Sequence, residues 1–142
     1  SAFGGTPLSG FAKQRFAQGS WGTLGAQNRA NALRLALVFR YGGGYMDLDS
    51  WVPSAAFAGL GDFVALQAPG VVNNAHFQAR PGAPWVALLM RDLAQHYNGN
   101  RWGHQGPELF TRVLRKACGR RFVHGVARRG GKHPACANVT AL

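Results

Sequence analysis

Residues 31–52 read NALRLALVFRYGGGYMDLDSWV, and the order of residue types in this stretch decides the fold. From Ala26 to Tyr41 apolar residues recur at helical spacing, Ala30, Leu33 and Leu37 on one stripe and Leu35, Val38 and Phe39 on the next. That pattern predicts a mostly buried helix. Gly42, Gly43 and Gly44 end it, because glycine enters left-handed backbone conformations without penalty and lets a ligand approach the chain. A plain helix stop and tight turn reads the same way. An extended segment follows, on which side chains alternate, so Tyr45, Asp47 and Asp49 are expected on one face and Met46 and Leu48 on the other. Two carboxylates converging at a strand end repel each other. A hard divalent cation relieves that repulsion, and oxygen ligands with open positions suit Mn²⁺ or Mg²⁺ shared with a phosphate. D-x-D on a solvated strand also arises by accident.

The pair stands out because the chain carries five acidic residues against sixteen lysines and arginines, a formal charge of +11. Arg112, Arg115, Lys116, Arg120, Arg121, Arg128, Arg129 and Lys132 crowd the last third and give a broad positive field. Nucleic acid is one partner for such charge, but Phe122 is the only aromatic near the basic run and no nucleic-acid-binding signature is present. A pyrophosphate, an anionic membrane surface, acidic glycans or a merely solvated basic face explain it equally. The five histidines show no H-x-x-x-H pairing, so no zinc site is expected. G-x-S-x-G, P-loop and Rossmann signatures are missing as well.

At 142 residues with 46% hydrophobic composition the chain suffices for one domain with a sizeable core. No apolar run is long enough to cross a bilayer, and no charged-then-apolar leader opens the chain. Strands are predicted near Phe63 to Gln67 and Val71 to Phe77. One amphipathic helix is predicted through Trp85, Leu88, Leu89, Leu93 and Tyr97, and a second opens at Pro107 and runs through Leu109, Phe110, Val113 and Leu114. Gly19 to Gly25 and Pro81 to Pro84 read as loops.

Two stretches carry a resemblance. NALRLALVFRYGGGYMDLDSWV resembles the sugar-binding DXD region of glycosyltransferases, S-D-x-x-R, an apolar helix, then Y-G-G-x-Y-x-D-x-D; Arg34, Tyr41, Gly42, Gly43, Tyr45, Asp47 and Asp49 fall in register. Residues 73–118 are similar to the lactosylceramide 4-alpha-galactosyltransferase and alpha-1,4-N-acetylglucosaminyltransferase group in NNA, MRD, HYNG, WGHQGP and LFTRV. The likeness runs from about Ala26 to about Cys136. The family's S-D pair falls on Ala30 and Asn31, so an amide stands where the resemblance implies an acid gripping donor-sugar hydroxyls.

The resemblance implies a partial GT-A-like α/β sheet flanked by helices, and one catalytic-domain fragment over 1–142, with its DXD region at 26–53 and a galactosyltransferase-like region at 62–136. It implies a metal-dependent retaining transfer of galactose or N-acetylglucosamine from a UDP-sugar to a glycan or glycolipid acceptor. Donor contacts would come from Asn31, Arg34, Gly43, Gly44, Tyr45, Asp47, Asn74 and Ala75, and Mn²⁺ or Mg²⁺ would sit on Asp47 and Asp49. Asn73, Asn74 and Ala75 are expected at a strand end beside the carboxylates, although an Asn-Asn pair also forms turns. No general base stands out among Asp62, Asp92, Glu108 and His104. His104, Gln105 and Glu108 are the catalytic candidates, and the first two could equally cap the following helix. A silent sugar-nucleotide-binding relative and a basic polyanion-binding module are the alternatives. Cys118 and Cys136 match cysteines of the group, which implies a disulfide across a weakly apolar loop. Asn138-Val139-Thr140 is an N-glycosylation acceptor pattern. Both fit a Golgi-lumenal, type II membrane-anchored parent.

Overall fold

The computed structural model describes residues 2–50, 59–130 and 133–142. The last residues of the predicted DXD region, 51–53, and Lys132 of the basic run lie outside the described residues.

Helices α1 (Ser9–Ala17) and α2 (Gly25–Tyr41) lead into strand β1 (Gly43–Met46). Strands β2 (Phe63–Ala68) and β3 (Val71–Ala79) form a hairpin, and helices α3 (Pro84–Gln95), α4 (Pro107–Cys118) and the single turn α5 (Arg120–Val123) follow. A 3₁₀ turn at Pro134–Cys136 and the short strand β4 (Thr140–Ala141) close the chain. The sheet order is β1-β3-β2-β4, antiparallel except for β2 with β4. It is an open mixed sheet flanked by helices, as a partial GT-A-like α/β fold requires.

Local sequence accounts for the main elements. Pro84 and Pro107 stand in the first turns of α3 and α4, where no amide hydrogen is needed. The hairpin turns at Pro69-Gly70, with Gly70 at φ 85. Trp85, Val86, Leu89, Met90 and Leu93 of α3 and Leu109, Phe110, Val113 and Leu114 of α4 bury one face of each helix. Their centre is Phe77, whose ring meets Tyr45, Trp85 and Phe110 at 5.7, 6.1 and 5.2 Å. Tyr97 lies past the end of α3 but still joins the core, its hydroxyl donating to the Trp21 carbonyl at 2.6 Å. Burial raises its pKa.

Of the two apolar stripes on helix α2, the one through Leu35 and Val38 faces inward and the one through Ala30, Leu33 and Leu37 faces out. Ala30, Leu33 and Leu37 are exposed, while Ala32, Leu35, Ala36 and Val38 are buried together with Asn28, Asn31 and Arg34. The polar residues are held inside by partners. Asn28 Nδ2 donates to the carbonyls of Trp21 and Gly99, both at 2.9 Å, where the backbones of Gly22 and Gly99 meet too closely for a side chain on either.

Asp62 shows how an acid serves structure here. Its carboxylate is 7% exposed and accepts from the Arg80 amide at 2.8 Å and the Trp85 indole at 3.1 Å. Asp62→Ala strands a buried and a part-buried donor and is expected to lower the unfolding free energy by about 2 kcal/mol, measured by denaturant titration. A loss below about 0.5 kcal/mol would mean that water replaces the carboxylate.

Candidate functional site

The helix-glycine-strand sequence brings five polar side chains together. Arg34, 8% exposed on α2, places Nη1 3.2 Å from Asp47 Oδ1 and donates through the same nitrogen to the Asn74 carbonyl at 2.9 Å. Its guanidinium stacks over the Tyr45 ring at 4.3 Å. The Tyr45 hydroxyl donates to Asp47 Oδ1 at 2.5 Å, and Asn74 Nδ2 donates to Asn31 Oδ1 at 3.1 Å. Burial, and then the hydrogen bond to Asp47, push the Tyr45 pKa up to about 12, with smaller contributions from the charges of Asp47 and Asp49. The phenol therefore remains a donor to Asp47 at ordinary pH.

The backbone that achieves this differs from the expected one in two respects. Strand β1 ends at Met46, and Asp47 to Ser50 form a turn in which the Ser50 amide donates to the Asp47 carbonyl at 3.1 Å. Simple strand alternation therefore does not place Asp49. Asn73, Asn74 and Ala75 are not at a strand end but inside β3. Between the pairs Val64↔Phe77 and Leu66↔Val72, two steps along β2 match five along β3, so residues 73–76 bulge away from β2. That bulge turns Asn74 inward toward Asn31 while the Ala75 carbonyl accepts from the Asp47 amide at 3.0 Å. Gly43 and Gly44 lie on exposed β1, an edge strand among the described residues, and Gly43 has φ 93.

Two of the catalytic candidates are committed elsewhere. Glu108 pairs with Arg101 at 2.9 Å, with His104 Nδ1 at 3.4 Å from the same carboxylate. His104 Nε2 donates to the His96 carbonyl at 2.8 Å, and Arg112 binds both the His104 carbonyl and Asp92. None of these bonds goes to the Arg34–Asp47 cluster. Neither His104 nor Gln105 caps α4, whose N-cap is Gly106. Gln105 is different: it is 2% exposed, and neither its amide oxygen nor its nitrogen has a hydrogen-bond partner among the described residues. Its neighbour Gly106 lies against the Asn74 amide, where a Cβ would stand 3.2 Å from Nδ2. The sequence signal for this join was the glycine in WGHQGP, which permits the close approach.

Among the described residues no group of three or more metal-binding side chains occurs. Two carboxylates nonetheless fit an open cation site, since hard cations keep water and phosphate oxygens in the rest of their coordination shell. Asp47 uses Oδ1 for Arg34 and Tyr45, and exposed Asp49 makes no hydrogen bond or ion pair with the described residues.

Arg34 Nε is buried without a hydrogen-bond partner among the described residues. Residue 31 lies one helical turn earlier, so an acid there would bring a negative charge to the same buried cluster. Asn31→Asp is expected to raise UDP-sugar affinity about tenfold by supplying charge-assisted hydrogen bonds, read by isothermal titration with Mn²⁺. Unchanged or weaker affinity would place the donor elsewhere.

Comparisons with known proteins identify sequence relatives. The alpha 1,4-glycosyltransferase conserved region matches residues 78–141. Lactosylceramide 4-alpha-galactosyltransferase of Pongo pygmaeus is 35% identical over 125 residues, 88% of this chain and 54% of that one. The Rattus norvegicus protein of the same name is 34% identical over 140 residues, 99% and 36% of the two chains. Alpha-1,4-N-acetylglucosaminyltransferase of Homo sapiens is 42% identical over 89 residues, 63% of this chain and 26% of that one. The chain thus spans between about a third and about half of the length of the galactosyltransferases it matches. No solved structure matches it significantly. Residues 78–141 thus match the alpha 1,4-glycosyltransferase conserved region, and nearly the whole chain is similar to curated galactosyltransferases.

Proposed function

We propose that this chain forms the donor-sugar side of a metal-dependent, retaining glycosyltransferase that moves galactose or N-acetylglucosamine from a UDP-sugar to a glycan or glycolipid acceptor in alpha linkage. The observation that carries this reading is the closed set Asn31, Arg34, Tyr45, Asp47 and Asn74, which ties helix α2, strand β1 and the β3 bulge together beside an exposed second carboxylate. The relatives' names supply the hexose and the linkage.

Within this reading Arg34 and Tyr45 fix Asp47, and Asn31 and Asn74 present amide groups to sugar hydroxyls. Asp47 and Asp49 would hold Mn²⁺ or Mg²⁺, which offsets charge developing on the departing diphosphate. The sugar C1–O bond to the diphosphate breaks, the C1–O bond to the acceptor forms on the same face, and the acceptor proton passes to the leaving phosphate oxygen. No protein base is required. That suits a chain whose other acids are engaged: Asp62 with Arg80 and Trp85, Asp92 with Arg112 and His96, Glu108 with Arg101. Gln105, buried with an unpaired amide next to Gly106, would orient the reacting sugar.

The test is a titration of UDP-galactose and UDP-N-acetylglucosamine with and without Mn²⁺, followed by donor hydrolysis. Saturable, metal-dependent binding of either donor is expected. Binding indifferent to metal would overturn the metal role, and no binding would leave the family likeness as ancestry alone. A Golgi-lumenal place for a membrane-anchored parent fits the disulfide and exposed Asn138; no helix among the described residues is long and apolar enough to cross a membrane.

A further inference from the structure

Trp102 is 72% exposed, whereas Trp21 and Trp85 are buried at 6% and 0%. An indole so open to water is uncommon, because tryptophan is among the most buried side chains on average. A mobile loop would make that exposure trivial, but this loop is fastened on both sides of the residue. Before it, Asn100 Oδ1 accepts from the Thr23 amide at 3.0 Å, and Arg101 pairs with Glu108. After it, His104 is bound through its ring to the His96 carbonyl and through its own carbonyl to Arg112. The protein thus holds a large apolar face in water on a braced support.

We propose that Trp102 is the platform on which a hexose of the acceptor glycan packs, with the Arg101–Glu108 pair serving its hydroxyls. This rests on the transferase reading above. A pyranose presents a face of C–H groups that is apolar and slightly positive, which matches the negative face of an indole ring. Its equatorial hydroxyls need planar donors and acceptors at the ring's edge. Arg101 and Glu108, with side chains 60% and 43% exposed, supply both.

Position supports the assignment. Trp102 and Gly106 are four residues apart, so the indole's backbone lies within about 14 Å of the glycine that touches Asn74. The WGHQG segment therefore runs from the candidate donor pocket, past the buried Gln105, to an exposed stacking surface within reach of a short oligosaccharide. The opposite sheet edge, where Arg128 and Arg129 flank β4, shows no comparable aromatic among the described residues.

The test uses the chain labelled with ¹⁵N at its tryptophans and titrated with methyl β-lactoside, the indole signals being assigned by single substitutions. The Trp102 indole is expected to shift and saturate, and Trp102→Ala to remove the response while keeping the thermal midpoint. In transfer assays with a UDP-hexose the acceptor KM is expected to rise about tenfold in Trp102→Ala with little change in kcat, and Trp102→Phe to restore most of the loss. A shift confined to other tryptophans, an absent shift, or an unchanged acceptor KM would overturn the proposal. If no donor binds, the transferase reading fails on its own, and the lactoside titration alone still decides whether Trp102 takes a sugar.

Discussion

If Asp49 holds the cation as proposed, Asp49→Ala is expected to lower metal-dependent UDP-sugar binding at least about a hundredfold while leaving stability within about 0.5 kcal/mol of the parent, because a direct ligand would outweigh the tenfold to hundredfold of outer partners. The two effects separate because Asp49 is exposed and has no hydrogen bond or ion pair with the described residues, so nothing structural is lost with it. Asp47→Ala is the contrasting variant. It removes the carboxylate that meets Arg34 and Tyr45, leaving a guanidinium that is 8% exposed without its counter-charge. Asp47 is itself a third exposed, so the expected cost is about 1–3 kcal/mol rather than that of a fully buried pair. Titration calorimetry with and without Mn²⁺, paired with denaturant unfolding, measures both quantities. Undiminished metal-dependent binding in Asp49→Ala would remove this carboxylate from the cation site, and equal destabilisation by both variants would make the pair structural.

The contrast also explains what could be read from the sequence. Pro107, the apolar stripes of α3 and α4 and the two strands of the hairpin are legible because each follows from a local rule, a proline tolerated only in a first helical turn or an apolar repeat of fixed period. Helix α2 obeys the same rule only in part, through Leu35 and Val38. Its inward face carries Asn28, Asn31 and Arg34, whose burial depends on partners on β3 and in the loops, and its leucines at 33 and 37 face outward. Apolar periodicity fails where a helix spends its buried face on polar chemistry. The β3 bulge was equally hidden, since nothing in NNAH distinguishes a strand end from an interruption within a strand. Helix α1, the α5 turn and β4 were not read either. The first gains its place from contacts around Trp21, and β4 is only two residues long, held by the Asp62 and Val64 carbonyls and by Arg128.

Removing the Cys118–Cys136 disulfide is expected to lower the unfolding free energy by about 3 kcal/mol, the loop-closure value for a ring of this size. The bridge joins the last residue of α4 to the 3₁₀ turn, with Cα atoms 5.5 Å apart, inside the expected range, and a sequence separation of 18. Both cysteines are buried, and Gly130 passes so near Cys136 that a Cβ there would clash at 2.5 Å. The enclosed segment is less apolar-poor than its sequence suggests, since Phe122 and Val123 of α5 are buried at 1% and 0% and belong to the main core. Those anchors hold the segment's first half. Its second half, Arg128 to Gly130, rests chiefly on main-chain bonds to β4 and Val139, and β4 in turn follows directly from the bridged turn. Loss of the bridge is therefore expected to loosen β4 before α5. Denaturant unfolding of the oxidised chain against the Cys118→Ala, Cys136→Ala double variant gives the magnitude, and amide exchange gives the order. A loss under about 1 kcal/mol, or exchange in which α5 opens first, would show that the apolar anchors rather than the covalent ring set the segment's stability.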